Sequence, residues 1–443
     1  MSEPLLPAPA APTLNWSGNQ RFSPSSIAHP ATLEELQALV AASSCVKALG
    51  SAHSFSAVGQ VDARTVLVRL DALELGGASL RESPDGASAA VTLPAAWTYA
   101  QLATFLAPTR WALANMASLP HISVGGSIAT ATHGSGAGNA NLAAAVVGLE
   151  LVTAAGALLA VDARTPRWPA HVVHLGGLGI VTRVTLSLVR AFDLRQDVYE
   201  GLPWARGCAA LADILGAAYS VSLFTTWAAP LTFEQVWRKS LVPPGGGGEA
   251  PEDWHGAARA ASDRHPIPGV DAAPCTPQSG LPGPWHARLP HFRAEFTPSA
   301  GAELQSEYSV AAEDAPAALA ALAPLAPRIA PLLFITEIRA VKADALPLST
   351  AAGRNSVFIH FTWRFLEAEV RALLPELEAA LAPFGARPHW GKLFVADAAS
   401  IEAAHGRAAM DEWRALRLEL DPELKFGNEF LREAGLLKAP ASR

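Results

Sequence analysis

At 443 residues the chain has room for two or three domains and a substantial core. Half the residues are hydrophobic and 16% are charged, which excludes a disordered chain, and the net charge of −7 argues against a nucleic-acid or anionic-membrane surface. Three widely spaced cysteines, Cys45, Cys208 and Cys275, exclude a disulfide scaffold and fit a reducing cytoplasm.

The start, MSEPLLPAPAAPTL, has neither a basic region nor an unbroken apolar run, so no signal peptide is expected. Residues 1–30 read as an extended arm. Thr32-Leu33-Glu34-Glu35 is a capping-box pattern, and Leu33, Leu36, Leu39 and Val40 share one face of a helix that ends near Ser43. A short buried strand over Val46 to Leu49 then leads into LGSAHSF, Leu49 to Phe55. Gly50, Ser51 and Ala52 are small, as where backbone amides must approach a ligand. His53 is either a turn histidine bonded to a nearby carbonyl or part of a binding site; this stretch alone leaves both open.

Strands are predicted at TVLVRL (Thr65 to Leu70) and AAVTL (Ala89 to Leu93), with a helix at Tyr99 to Leu106. LELVTAAGALLAVDA reads as a hairpin with its turn near Ala155-Gly156. Before it lies NMASLPHISVGGSIATATHGSGAGN, Asn115 to Asn139, built almost wholly from small and hydroxyl residues. Each ordered glycine costs roughly 0.5–1 kcal/mol, so a large cofactor lying along the backbone explains the run better than structure alone. Gly134, Gly136 and Gly138 lack the strand–helix context of a Rossmann fingerprint. His171 and His174 have no third ligand nearby and read as structural; no metal is expected, and no G-x-S-x-G elbow appears.

Composition changes after about Phe192. Residues 240–285, rich in proline and glycine, read as a long loop, with Gly245 to Gly248 as a flexible run rather than a phosphate cradle. Strands are predicted at FRAEF, LQSEYSV, LLFITEIRAV and VFIHFTWRF, and helices at Ala311 to Leu325 and Leu366 to Leu381. The alanine-rich PAALAALAPLAP, Pro316 to Pro327, is broken by proline and too short to span a bilayer. Without regular βαβ alternation, the fold class is α+β. Glu337 and Arg339 share one strand face, as do His360 and Thr362, opposite the apolar Val357, Ile359, Phe361 and Trp363. These polar pairs read as ordinary solvent-facing alternation, as a structural ion pair or, with Lys392 from the tight HWGK turn, as a face suited to a polyol, whose hydroxyls each need a partner.

LGSAHSF and NMASLPHISVGGSIATATHGSG, in that order, resemble the FAD-binding half of vanillyl-alcohol-oxidase-type flavoproteins. LGGLGIVTRVTL, EIR, HFTW, RPHWGK and DPELKFGNEF extend the likeness along nearly the whole chain and make it most similar to the bacterial alditol (xylitol) oxidases. The resemblance implies a two-domain α+β fold. Residues 1–192 would bind FAD, 193–390 would carry the substrate domain with a large antiparallel sheet, and 391–443 would return to the first domain.

It also implies roles. His53 would be joined to the flavin 8α-methyl, and Ala48, Leu49, Gly50, Ser51, Ala52 and Ser54 would cradle the pyrophosphate. Ser118, Ser123, Gly126, Thr130, Ala131, Thr132 and His133 would line the isoalloxazine and phosphates, with Val181 at the adenine and His389 on the flavin. Ala52 replaces the usual glycine, so its backbone is expected to avoid positive φ; PAAWTYAQL replaces a more glycine-rich turn. Ser118, Glu337, Arg339, Thr362 and Lys392 match substrate residues, with His360 beside Thr362. In the implied reaction Lys392, or a water it orients, removes the hydroxyl proton, Arg339 stabilises negative charge, and Glu337 and Thr362 fix hydroxyls. A polyol substrate, O2 as acceptor, no nucleic-acid or membrane partner and a cytoplasmic monomer complete the expectation. A sugar-lactone oxidase or dehydrogenase is the nearest alternative, and a non-catalytic flavin- or carbohydrate-binding protein the alternative of another class.

Overall fold

The computed structural model describes residues 13–243, 250–296 and 302–438. The capping box predicted at Thr32 forms: its hydroxyl accepts from Glu35 N while the Glu35 carboxylate accepts from Thr32 N. The helix it starts, Leu33–Ala42, buries Leu36 and Val40. Its neighbour is a three-stranded parallel sheet in the order Ser26–Ala28, Val66–Val68, Val46–Ala48. Of the expected extended arm, residues 1–12 lie outside the described residues; Thr13–Leu14 pairs with Arg21–Phe22.

A second, antiparallel sheet runs Leu158–Asp162, Val146–Val152, Ile180–Arg190, Ala89–Pro94, Ser79–Glu82, with Trp111–Ala112 off its path. The predicted hairpin is its outer pair, and Gly156 closes the turn at φ +78°, where glycine carries no Cβ penalty. Helix Tyr99–Leu106 buries Tyr99, Leu102, Ala103 and Leu106, the i, i+3, i+4, i+7 stripe of an amphipathic helix. These residues join one core with Ile401, Met410, Trp413 and Leu431, so the C-terminal helices pack against N-terminal elements.

The largest sheet has ten strands, mixed in chain order and antiparallel throughout its pairings. At its centre lie Ser220–Thr225, Leu333–Val341, Ser356–Arg364 and Glu303–Ala311. One face carries Ile338, Ile359, Phe361 and Trp363 into a core shared with helices Ala315–Leu322 and Glu367–Leu381. Each such side chain contributes about 1.5–3 kcal/mol of burial, which fixes the register and turns Glu337, Arg339, His360 and Thr362 to the other face.

Three expectations change. FRAEF is not a strand: Phe292 makes one isolated bridge to Cys275 and the chain then turns, because its amides are spent on Ser118 O and Pro274 O. The 240–285 excursion is partly ordered into the sheet, with Asp253–Trp254, Ala257–Arg259 and Gly283–Pro284 as added strands. Its glycines Gly245 to Gly248 lie outside the described residues. The alanine-rich run is longer than expected: Ala315–Leu332 has the length and composition of a membrane span. It is divided into α and 3-10 segments, and Ala318, Leu319 and Leu322 are buried in the sheet's core.

Candidate active site

A cavity of about 710 Å³ runs between the two halves of the fold. At one end the turn after the Val46–Ala48 strand meets the helix Val124–Ala129. Ser123, at that helix's N-cap position, makes no side-chain cap; its Oγ accepts from Ser51 N at 3.3 Å, and Ser123 N donates to Ser51 Oγ at 3.1 Å. A Cβ on Gly50 would collide with Ser123 Oγ, so this close approach, as much as any ligand, requires glycine. Gly125 likewise sits where a Cβ would be 2.9 Å from the Ala95 Cβ.

Ala52 stands at φ +55°, contrary to the expectation that it avoids positive φ. Its carbonyl accepts from Trp16 N at 2.8 Å, and its side chain packs beside Phe22, Leu49, Val61 and Leu67. These contacts outweigh a left-handed cost of roughly 1–2 kcal/mol. The reversal carries His53 to the cavity wall, stacked on Trp16 at 5.3 Å between ring centroids. His53 Nδ1 lies 3.2 Å from Ser51 O, and Nε2 is buried without a partner. Burial lowers the ring to about 4, so it is neutral at physiological pH.

The other end is the polar face of the large sheet. Glu337 is paired with His360, and His360 with Glu307, across three adjacent strands. Glu307 Oε1 lies 2.8 Å from Arg339 Nη2, 3.1 Å from His133 Nε2 and 3.4 Å from His360 Nδ1. Burial would raise this carboxyl, yet His133 and His360 hold it well below the usual range. Glu337 behaves alike: burial opposes ionisation, but Arg339 and His291 keep it a carboxylate. Arg339 also reaches Ser118 Oγ at 3.3 Å, and His360 Nε2 reaches Thr362 Oγ1 at 3.2 Å.

Lys392 enters from the predicted tight turn, which closes with Lys392 N donating to His389 O at 3.0 Å. The turn is tied to the histidine loop by Phe55 N to Gly391 O and by Ser56 Oγ to Trp390 O. Lys392 Nζ bonds Gln305 Oε1 and lies 5.2 Å from the Phe55 ring centroid. Burial lowers the ammonium to about 8, with Glu307 opposing and Arg339 adding to the shift.

The structure brings nearly all of the expected residues to one cavity. Ala48 to Ser54, Ser118, Ser123, Gly126, Thr130, Thr132, His133 and Val181 line it, as do Glu337, Arg339, His360, Thr362, His389 and Lys392. Ala131 does not; at φ +54° its methyl packs into the N-terminal core. Sequence reading missed Gln305 and Glu307, although LQSEYSV alternates with the same period as its neighbours and places both on the polar face. It also missed His291, which lies in irregular chain and has no periodic signal. His133, Glu307 and His389 come close enough to share an ion, but Glu307 Oε1 is already engaged by Arg339 and His133.

Residues 24–162 match the FAD binding domain family and residues 302–434 the D-arabinono-1,4-lactone oxidase family. The chain is 44% identical to an alditol oxidase from a Streptomyces species, over 95% of this chain and 98% of that one. The chain belongs to the alditol oxidase family. That family's more distant kin include an L-gulono-1,4-lactone dehydrogenase of Mycobacterium tuberculosis, 28% identical over 94% of this chain and 97% of the other. A cholesterol oxidase from B. sterolicum shares the two-domain fold, with a TM-score of 0.74 at 16% identity over 96% of both chains. This alditol oxidase family member therefore has the α+β architecture that its sequence implies.

The cradle fits FAD. Small residues line its wall, and the orphaned His53 Nε2 faces no protein partner.

Proposed function

We propose that the protein is an FAD-dependent alditol oxidase that converts the terminal primary hydroxyl of polyols such as xylitol or sorbitol to the aldose, reducing O2 to H2O2. The observation that carries this reading is the convergence of Ser118, Glu337, Arg339, Thr362 and Lys392 at one end of a cavity whose other end is the serine–glycine cradle. A row of charged and hydroxyl groups matches a molecule bearing a hydroxyl on every carbon. The 44% identity to an alditol oxidase supports the substrate class.

Residues 48–54, Ser123, Gly126, Thr130, Thr132, His133, Val181 and His389 hold FAD, with His53 as the covalent attachment residue. The chemistry FAD supplies when bound is acceptance of a hydride from the substrate carbon and transfer of two electrons to O2. Glu337, kept ionised by Arg339 and His291, accepts a hydrogen bond from a substrate hydroxyl, and Thr362 takes another. Lys392 in its neutral form takes the hydroxyl proton, a role suited to an amine lowered to about 8. Arg339 offers charge to the developing oxyanion. The domain division at residues 192 and 390 belongs to the same reading, supported by the separate cores of the two halves. So does a monomer in a reducing cytoplasm, in keeping with sparse, free cysteines.

The match of residues 302–434 to a lactone oxidase family favours a second reading, oxidation of an aldonolactone. Peroxide release measured across polyols, aldoses and aldonolactones separates the two. Turnover of xylitol or sorbitol above all lactones is expected; preference for a lactone would replace the polyol reading.

A further inference from the structure

Behind Glu337 lies a line of buried polar groups outside the expected site. Lys239, on the Thr232–Leu241 strand, is 1% exposed and does not line the cavity. Its Nζ lies 2.5 Å from Leu289 O, 3.1 Å from Pro290 O and 3.2 Å from His291 Nδ1. An ammonium has three protons, and two carbonyl oxygens and one ring nitrogen surround this one. His291 does line the cavity; its Nε2 is 2.7 Å from Glu337 Oε1, and its backbone N donates to Ser118 O at 3.1 Å. The edges of Trp237 and Phe224 fix the ring plane, with centroids at 5.0 and 5.9 Å.

We propose that His291 is a positioning residue for substrate, anchoring Glu337 Oε1, and that Lys239 selects the neutral Nε2–H form of His291 that makes this anchor. The proposal rests on the reading of Glu337 as a hydroxyl acceptor. An ammonium at Nδ1 requires a lone pair there, so the ring proton sits on Nε2 and is donated to Oε1. Oε2, with Arg339 Nε at 3.5 Å, is then the oxygen left for a substrate hydroxyl. A second positive charge on the ring would stand beside Lys239 in a buried place. Burial and then Lys239 lower His291 to about 4, while Glu337 opposes them. Lys239 itself is lowered to about 7 by burial, against the pull of Glu337 and Cys275 and with the push of Arg339 and Arg288.

The test has two arms on the flavin-loaded protein. In the first, histidine ring 15N spectra at pH 6, with His291 identified by the signal lost in His291→Gln, report its protonation. A neutral ring with its proton on Nε2 is expected, and Lys239→Met should shift His291 toward the doubly protonated form. An Nδ1–H ring or an imidazolium in the parent would overturn the clamp; so would a His291 state unchanged by Lys239→Met in a folded variant. In the second arm, His291→Phe should raise the polyol KM about tenfold, the loss expected for a hydrogen bond to a charge, with a smaller change in kcat. His291→Gln, whose amide can donate to Glu337 and accept from Lys239, should recover most of that loss. A parental KM in His291→Phe, or equal losses in both variants, would overturn the anchor. A parent that oxidises no polyol would instead fail the functional reading, and the spectra would still decide the clamp.

Discussion

Ser51 and Ser123 exchange hydrogen bonds, each hydroxyl accepting from the other's backbone amide at 3.3 and 3.1 Å. The residues are 72 positions apart, and the pair staples the histidine turn to the small-residue helix that faces it across the cradle. Ser123→Ala should therefore leave the part-buried Ser51 N without its acceptor, costing about 0.5–1.5 kcal/mol. Denaturant unfolding of the variant should show that loss, together with a smaller fraction of chains carrying flavin. Parental stability would mean the staple is incidental.

His53 lines the cavity with a neutral ring whose buried Nε2 has no hydrogen-bond partner. The purified protein should be yellow and keep its flavin after acid or denaturant. Its denatured mass should include FAD, and His53→Ala should abolish the adduct. A parent mass equal to the bare chain would remove the covalent link and leave the fold untouched.

Glu337→Gln should weaken polyol binding about tenfold or more, since a carboxylate acceptor is roughly twice as strong as a neutral one and Arg339 loses a partner. The flavin spectrum should stay largely parental, because Glu337 sits on the sheet's polar face and not in the cradle. Michaelis constants unchanged for every polyol would take Glu337 out of the site.

Lys392→Met should slow flavin reduction by saturating xylitol about a hundredfold or more, the usual scale for losing a base or an electrostatic stabiliser. Binding should change less, with Ser118, Glu337 and Thr362 still present. In the parent the reduction rate should rise with pH through about 8, as the ammonium gives up its proton. That rise should be missing in the variant. Anaerobic stopped-flow measures both; a rate within about twofold of the parent's would exclude Lys392 from the chemistry.

Four buried histidines are shifted downward by burial first: His174 and His291 to about 4, His389 and His405 to about 3. The unfolded chain, with rings near 6.5, binds more protons than the native one below that pH. Their contribution is thus complete above pH 6.5 and is lost as pH falls toward 4, at up to about 1.4 kcal/mol per pH unit for each ring. Thermal unfolding should fall steeply over this range, and His405→Gln, remote from substrate, should flatten the slope by one ring's share. A melting temperature constant from pH 6.5 to 4.5 would contradict it.

The elements legible in the sequence are those that short-range physics controls. The capping box at Thr32, the helix at Tyr99–Leu106, the hairpin about Gly156 and the two-faced strands through Glu337 and His360 depend on residues within a few positions of one another. Motif order gave the cradle and the polar strand pairs. Tertiary structure alone decided which partners those groups meet. Glu307 becomes the hub for Arg339, His133 and His360 only because sheet register brings three strands and the His133 loop together. His291 reaches Glu337 from irregular chain that no periodicity describes. Ala52 accepts a left-handed backbone because Trp16 and a small apolar cluster compensate for it, and no local rule at that position can foresee such contacts.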